Sequence, residues 1–383
     1  MRKVCVVLGS RANYSSIKSA MAAIKAHPEL ELQVVAGASA LLDRYGTVVD
    51  LVEKDGFEIA ARVYMLIEGE TLTTMAKSTG LGLLELPAVL ERLKPDIVLT
   101  VGDRFETMAT ALSAAYMNIP IAHTMGGEVS GTIDESIRHA VTKFAHIHFP
   151  ASDDAKARII QLGEREQDVY LVGCPRIDSV AATLAEAPSD LSKVFDLGVG
   201  DAIDLGKPFL LVSQHPVTTE YGEGIEQITR TLEAVRSTEL PAIVLWPNAD
   251  AGSDDIAKGI RIWRERGKAK HMHFFKNLPT ATYVHLMART ACLVGNSSSG
   301  VREGAYIGTP VVNIGTRQIG RRRGHNVMDV PHETAAIAKA LRAQIDHGRY
   351  EMDPIYGDGK AGTRIADVLA TKSDIQIQKR ITY

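Results

Sequence analysis

What the 383-residue chain lacks narrows its biology before any motif is read. It carries only three cysteines, Cys5, Cys174 and Cys292, far apart in the sequence. An odd, scattered set argues against a disulfide framework or a Cys-rich zinc site, and it predicts a reducing, cytoplasmic setting. Cys5 and Cys292 lie in apolar runs, where a small buried residue is expected. Neither sign of charge dominates, since 43 Lys and Arg against 46 Asp and Glu leave a net charge of −3. That balance offers no basic footprint for nucleic acid or an anionic membrane. The opening MRKVCVVLGSR holds an apolar run too short for a signal-peptide core or a membrane span, so it reads as a first strand. No internal period of roughly 20–50 residues points to a solenoid. A G-x-x-x-x-G-K-[ST] loop is missing, and His and carboxylate residues show no metal-ligand spacing, so no metal is expected.

What is present is an ordinary globular composition, 45 % apolar and 23 % charged. The length fits two or three domains with ample cores. Short apolar runs alternate with helical patterns. Strands are expected at Val4–Leu8, Leu32–Ala36, Asp96–Val101, Ile119–Ala122, Ala145–Phe149 and Val169–Val172. The polar stretch Glu186–Lys207 interrupts the rhythm. It restarts with Phe209–Ser213, Ala242–Leu245, Met272–Phe275, Ala291–Gly295 and Val311–Ile314. Strand and helix in repetition mean parallel sheets covered on both faces. Two such Rossmann-like, doubly wound α/β units imply a cleft between them, with ligand at the carboxyl ends of the strands.

Nearly every strand tip carries a polar cluster. After the first comes GSRANYSS, where Ser10 and Asn13 suit a helix start. Arg11 has no such duty and is a candidate ligand contact. The third tip reads VGDRFET, placing Asp103 and Arg104 where α/β proteins put function. The fourth opens HTMGGEVSGTIDESIRHAVTK. There Thr132 and Glu135 form a capping box, and Asp134 falls in the first helical turn, where it can pair with Arg138 at i,i+4. The cap leaves His123, Glu128 and His139 unexplained. Farther on, SQHPVTT sets His215 at a tip, and WPNADAG sets Asn248 and Asp250 at the next. GNSSSGVREG offers Ser297 and Ser298 at a helix start as an anion site fit for a diphosphate. Glu303 lies farther along that helix, placed for ribose hydroxyls, and Arg317 in GTRQIGR could add charge to the phosphates. GDGKAG matches G-x-G-x-x-G literally, but no strand precedes it and too little chain follows for a βαβ unit.

Taken together, GSRANYS, ERLKPDI, GDRFE, GGEVSGTIDESIRHAVTK, GCPRID, QHPVTT, PNADAGS, GNSSSGVREGAYIGTPVVNIGTRQIGR and IYGDG make the chain resemble the UDP-N-acetylglucosamine 2-epimerase family almost end to end. The likeness is to its hydrolysing, sialic-acid-pathway branch. That resemblance implies a glycosyltransferase-B arrangement, with a sugar-side domain over residues 1–185, a UDP-binding domain over 186–362, and a C-terminal helix and tail, 363–383, packing back on the first. It implies release of N-acetylmannosamine and UDP from UDP-N-acetylglucosamine and water, with no cofactor, by a homodimer or homotetramer. The UDP site would include Arg11, Ser15, Arg104, His215, Asn248, Ser297, Ser298, Glu303 and Arg317, with Asp250 beside them. Asp103 and Asp134 match acids implicated in catalysis, with Glu128, His215 and Arg104 as further catalytic candidates.

The chemistry fits such a set. C2 must lose a proton and regain one on the other face, which needs a carboxylate or a water-relayed base. Because that proton is not acidic, departure of UDP must drive the step, leaving a 2-acetamidoglucal that water then adds to. Two positions depart from the family pattern. Many relatives carry Glu in H-x-E-G-G where this chain has Met125, and His where it has Ala40. Either Asp103, Asp134, Glu128 or a water covers the missing role, or the substrate or the activity differs. Three rivals follow: a hydrolysing 2-epimerase of another nucleotide sugar, such as diacetylbacillosamine of the legionaminic acid route; a glycosyltransferase; and a catalytically weak nucleotide-sugar binding protein.

Overall fold

The computed structural model describes residues 1–43, 47–68, 72–130, 133–187, 191–217, 220–247, 252–276 and 278–382. The chain divides into two units, Met1–Ser179 with Gly357–Tyr383, and Val180–Tyr356.

The first unit holds β1 (Arg2–Leu8), β2 (Leu30–Gly37), β3 (Ile59–Val63), β4 (Ile97–Val101), β5 (Ile121–Thr124) and β6 (Ile147–Phe149). They lie in one sheet of order β3-β2-β1-β4-β5-β6, every pair parallel. Its helices are α1 (Arg11–Ala26), α2 (Val48–Lys54), α3 (Leu72–Leu93), α4 (Phe105–Tyr116), α5 (Ile133–Phe144), α6 (Asp153–Gln161) and α7 (Pro175–Ala185), the last running on into the second unit. The second unit holds β7 (Leu210–Ser213), β8 (Ala242–Leu245), β9 (Met272–Phe275), β10 (Cys292–Gly295), β11 (Val311–Ile314) and β12 (Val327–Val330). Their order is β12-β11-β10-β7-β8-β9, again all parallel. Around them stand α8 (Gly224–Arg236), α9 (Ser253–Glu265), α10 (Thr280–Arg289), α11 (Ser298–Val301), α12 (Glu303–Ile307) and α13 (Thr334–His347). The last helix, α14 (Ala361–Thr371), belongs to the first unit and packs on α1.

Alternation along the strands builds two apolar layers per sheet. Val4, Val6 and Leu8 of β1 enter one layer, and Cys5 and Val7 the other. In the second unit Leu210 and Val212 enter one layer, and Phe209 and Leu211 the other. A strand covered on both faces reads as an unbroken apolar run, which is why the central strands were legible. The two strands missing from the sequence reading, β3 and β12, are sheet edges. β3 exposes Ala60 and Arg62 on one face, and β12 exposes Met328 and Asp329 on opposite faces. One expected strand is corrected. Val169–Val172 is irregular, and Val169 makes a single parallel bridge to His148 before Gly173 turns at φ +89°.

The dismissed GDGKAG segment has a structural role. Asp178 of α7 accepts the N–H groups of Ala361 and Gly362 at 3.0 and 2.6 Å, capping α14 from outside its own sequence. Gly362 sits so close to α1 that a Cβ would lie 2.7 Å from the Ser19 backbone. Among the described residues, no helix is long and apolar enough to cross a membrane.

Candidate active site

Parallel strands bring their carboxyl ends to one edge of each sheet, and the polar tips gather there. In the first unit, register sets Val101 of β4 beside Thr124 of β5, and Thr124 beside Phe149 of β6. The chain leaves β4 through Gly102 at φ +74° and leaves β5 through Met125 at φ +62°. Gly127 follows at φ +74°, and a Cβ there would meet the Ala155 carbonyl at 2.2 Å, so only glycine fits.

At the centre of this edge lies Arg138, on α5 and 1 % exposed. Its guanidinium pairs with Asp103 at the β4 tip and with Glu135 at 3.0 Å. It also donates to the Glu128 carbonyl at 2.9 Å and the Ser130 hydroxyl at 3.0 Å. The i,i+4 spacing offered Asp134 as a partner for this arginine; the structure shows Asp103 and Glu135 holding it. Glu135 accepts the Ser130 N–H at 2.6 Å and pairs with His139 at 2.9 Å, which explains His139. Thr132, the other half of the expected capping box, lies outside the described residues. Burial by itself would raise Glu135, but His139, the Ser130 N–H and Arg138 hold it below the usual carboxylate range. Asp134 is half-buried in the first turn of α5, and Glu128 is buried after the glycine turn.

His123 is wholly buried, and its Nε2 lies 2.7 Å from the Gly102 carbonyl. A carbonyl only accepts, so Nε2 carries the proton, and Nδ1 faces the Thr142 hydroxyl at 3.5 Å. Burial pushes this imidazole down to about 4, so it is neutral at working pH. It pins the turn that carries Asp103. Met125 is half-buried and packs on the apolar layer beneath the sheet.

At the β1 tip, Ser10 caps α1 by accepting the Asn13 N–H. Asn13 accepts the Gly9 N–H at 3.2 Å and donates to the Val101 carbonyl at 3.4 Å, tying the β1 and β4 tips together. Arg11 is exposed at the start of α1. Ser15 is half-buried and accepts from Arg176 at 2.9 Å. Ala40 is buried in a 3-10 helix and donates its N–H to the Gly9 carbonyl at 3.2 Å. Arg104 is exposed, with Nε 3.2 Å from Glu106 Oε1. Glu106, 3 % exposed, packs so tightly on Gly9 that a Cβ there would meet its Cγ at 2.1 Å. Burial raises its pKa, and Arg104 offsets this only in part, with Asp103 and Asp134 adding to the rise.

The second unit gathers its tips around Asn296, which is wholly buried. Its side chain accepts the His215 N–H at 2.7 Å and donates to the His215 carbonyl at 2.9 Å, while its own N–H reaches the Ser213 carbonyl at 3.1 Å. Its carbonyl accepts from Gln318 at 2.9 Å and Arg317 at 3.3 Å, bringing the β11 loop alongside. Gly295, at φ +134°, allows this approach; a Cβ would lie 2.1 Å from the Ser213 carbonyl. Burial first, and the Arg317 charge second, push His215 down to about 3, so it is a neutral imidazole. Ser297 accepts the Ser299 N–H as a cap, and Ser298 opens α11, which is only four residues long. The expected single helix is broken at Arg302, and Glu303, 6 % exposed, starts α12 instead of continuing α11. Asn248 and Asp250 lie outside the described residues.

The structure thus brings Asp103, Glu128 and Asp134 to one sheet edge, and His215, Ser297, Ser298, Glu303 and Arg317 to the other sheet's edge. Sequence reading missed Arg138 as the hub, Glu106 as a buried acid, and Asn296 as the clamp. The F-E after GDR and the N before SSS were visible, but only the fold shows what they touch.

Two doubly wound units, with acids at one set of strand tips and serines with a neutral histidine at the other, put the chain in the class of two-unit parallel α/β proteins. A profile of the UDP-N-acetylglucosamine 2-epimerase family matches residues 22–370. The chain belongs to that family. It is 33 % identical to a hydrolysing UDP-N,N'-diacetylbacillosamine 2-epimerase of Legionella pneumophila, over 97 % of this chain and 96 % of that one. It is 26 % identical to a UDP-N-acetylglucosamine 2-epimerase of Neisseria meningitidis, over 99 % and 98 %. The crystal structure of UDP-GlcNAc 2-epimerase from Neisseria meningitidis, bound to UDP-GlcNAc, has the same fold. Its TM-score is 0.80, at 18 % identity over 96 % of this chain and 99 % of that chain.

Proposed function

We propose that the protein is a hydrolysing 2-epimerase of a UDP-linked 2-acetamido sugar, and that its substrate is UDP-N,N'-diacetylbacillosamine. The observation that carries the reaction class is the Asp103–Arg138–Glu135 network beside Asp134. A base must take the C2 proton while the C1–O bond breaks and its electron pair leaves with UDP. Asp103, held by an arginine that is itself buried, is the stronger candidate for that base. Water then adds hydroxide at C1 of the 2-acetamidoglucal while C2 is reprotonated on the other face, and Asp134 is the candidate acid. His215, Arg317 and the Ser297–Ser298 pair are assigned to the leaving diphosphate. His215 acts there as a neutral hydrogen-bond partner, since its imidazole is uncharged.

The Legionella relative, at 33 % identity, supports the diacetylated sugar. So does Met125. An apolar, half-buried side chain where many relatives carry Glu suits a substrate with an extra acetyl and a methyl group better than one with free hydroxyls. UDP-N-acetylglucosamine is the second reading, favoured by the Neisseria relative that spans 99 % of the chain. Incubation with each sugar nucleotide in D₂O, followed by NMR, tests both. Release of UDP and a free manno-configured sugar deuterated at C2 supports the reaction, and the faster substrate decides the sugar. Binding of both nucleotides without turnover would leave a binding protein, and UDP release only with an added acceptor a transferase.

A further inference from the structure

The serine run assigned to the diphosphate is joined to a residue outside it. Tyr283, on α10 and half-buried, sets its phenol oxygen 2.7 Å from Ser299 Oγ. Ser299 Oγ lies 2.8 Å from Ser297 Oγ, which also accepts the Ser299 N–H at 3.4 Å. At the end of β7, Ser213 Oγ lies 3.5 Å from His215 Nε2. Ser213, His215 and Ser299 are 3, 5 and 7 % exposed. These groups therefore rely on one another instead of water.

Each hydroxyl carries one proton, so the Ser297–Ser299–Tyr283 chain has two concerted directions. In the first, Ser297 donates to Ser299 and Ser299 to Tyr283. In the second, Tyr283 donates to Ser299 and Ser299 to Ser297. In that second state Ser297 Oγ has both acceptor positions filled, one by the Ser299 hydroxyl and one by the Ser299 N–H. Its own proton must then point outward. A phosphate oxygen only accepts, so an anion at Ser297 selects the second direction, and each bond in the chain polarises the next.

We propose that Tyr283 is a positioning residue for the diphosphate: its phenol turns the Ser299 and Ser297 hydroxyl protons toward the anion. This rests on the reading that a nucleoside diphosphate occupies the serine run. No covalent bond is made and no group changes charge; only hydroxyl protons reorient. Burial raises the phenol to about 12, which keeps it a neutral donor throughout the working range.

Tyr283→Phe removes only the phenol oxygen. UDP affinity is to be measured by calorimetry and uridine affinity by ligand-observed NMR, on the full chain. Loss of the oriented donor weakens UDP about fivefold and leaves uridine unchanged. Ser299→Ala gives the same loss, and the double variant is no weaker than either single one, because both break one chain. Unchanged UDP affinity in the two variants overturns the inference, as do additive losses or equal losses for UDP and uridine. If the wild-type protein binds no UDP, the nucleotide reading itself falls, and this inference with it.

Discussion

The guanidinium of Arg138, on α5, holds the carboxylate of Asp103, at the end of β4, thirty-five residues away in sequence. Arg138 is almost wholly buried while Asp103 is partly open. The pair therefore presents a fixed carboxylate at the sheet edge. Removing the arginine takes a charged donor from Asp103, Glu135, the Glu128 carbonyl and the Ser130 hydroxyl together. Arg138→Met should cost about 3–5 kcal/mol of stability and lower kcat at least about a hundredfold. Arg138→Lys should rescue neither fully, because a point charge cannot replace a planar fork serving four partners. Urea titration and a UDP-release assay check both; wild-type kcat in a folded Arg138→Met protein would remove Arg138 from the site.

Asp103 and Asp134 are assigned to proton transfer and not to nucleotide binding. Asp103→Asn and Asp134→Asn should each lower kcat by roughly 10²–10⁴ while UDP affinity stays within about threefold. If Asp103 is the base of the first step, its variant should form no 2-acetamidoglucal. If Asp134 is the acid of the second, its variant should release the glycal with UDP. Mass spectrometry of the products distinguishes the two. A loss confined to UDP affinity, with kcat intact, contradicts the assignment.

Met125 is the position where the chain departs from the family's acidic pattern. Its backbone sits at φ +62° and its side chain rests on the apolar layer under the sheet. A glutamate there sets a carboxylate partly against that apolar layer. Met125→Glu should therefore cost about 1–3 kcal/mol and should not raise kcat on either sugar nucleotide. Thermal melting and the D₂O turnover assay check this. A faster Met125→Glu enzyme would mean that the ordinary substrate of this site needs the missing carboxylate.

The central strands and the site tips were legible because both follow from local rules. Strands buried on both faces leave unbroken apolar runs, and function in such folds collects where those runs end. The partners inside the site were not legible. Asp134 and Arg138 stand at i,i+4, so helix periodicity pairs them. The β4–β5 register brings Asp103 to the same arginine from outside the helix. Likewise Ser297 and Ser298 read as an anion site at a helix start, while α10 places Tyr283 against their neighbour Ser299. Contacts between elements distant in sequence carry no period, so only the folded topology reveals them. β3 and β12 failed for a different reason: exposed residues, Ala60 and Arg62 in one and Met328 and Asp329 in the other, break the buried apolar run there.

The far end of α5 carries a second charge cluster, with a readable pH signature. Glu164, 4 % exposed, accepts from Lys143 and Lys379, each at 2.6 Å, and from His148 Nε2 at 3.2 Å. Lys379 comes from the C-terminal tail and also caps α5 through the Lys143 carbonyl at 2.9 Å. Burial alone would raise Glu164, but these hydrogen bonds and charges bring its pKa down to about 2, from an ordinary 4.5. A carboxylate depressed in the folded state adds stability above its unfolded pKa and loses it as pH falls toward the folded one. Between about pH 5 and pH 3 the wild type should lose about 1–2 kcal/mol through this group, after discounting for screening. Glu164→Gln should be less stable at pH 7 and should lack that part of the acid slope. Urea midpoints taken at half-unit pH steps test it: parallel acid slopes in the two proteins would show that Glu164 is not the group that anchors the tail.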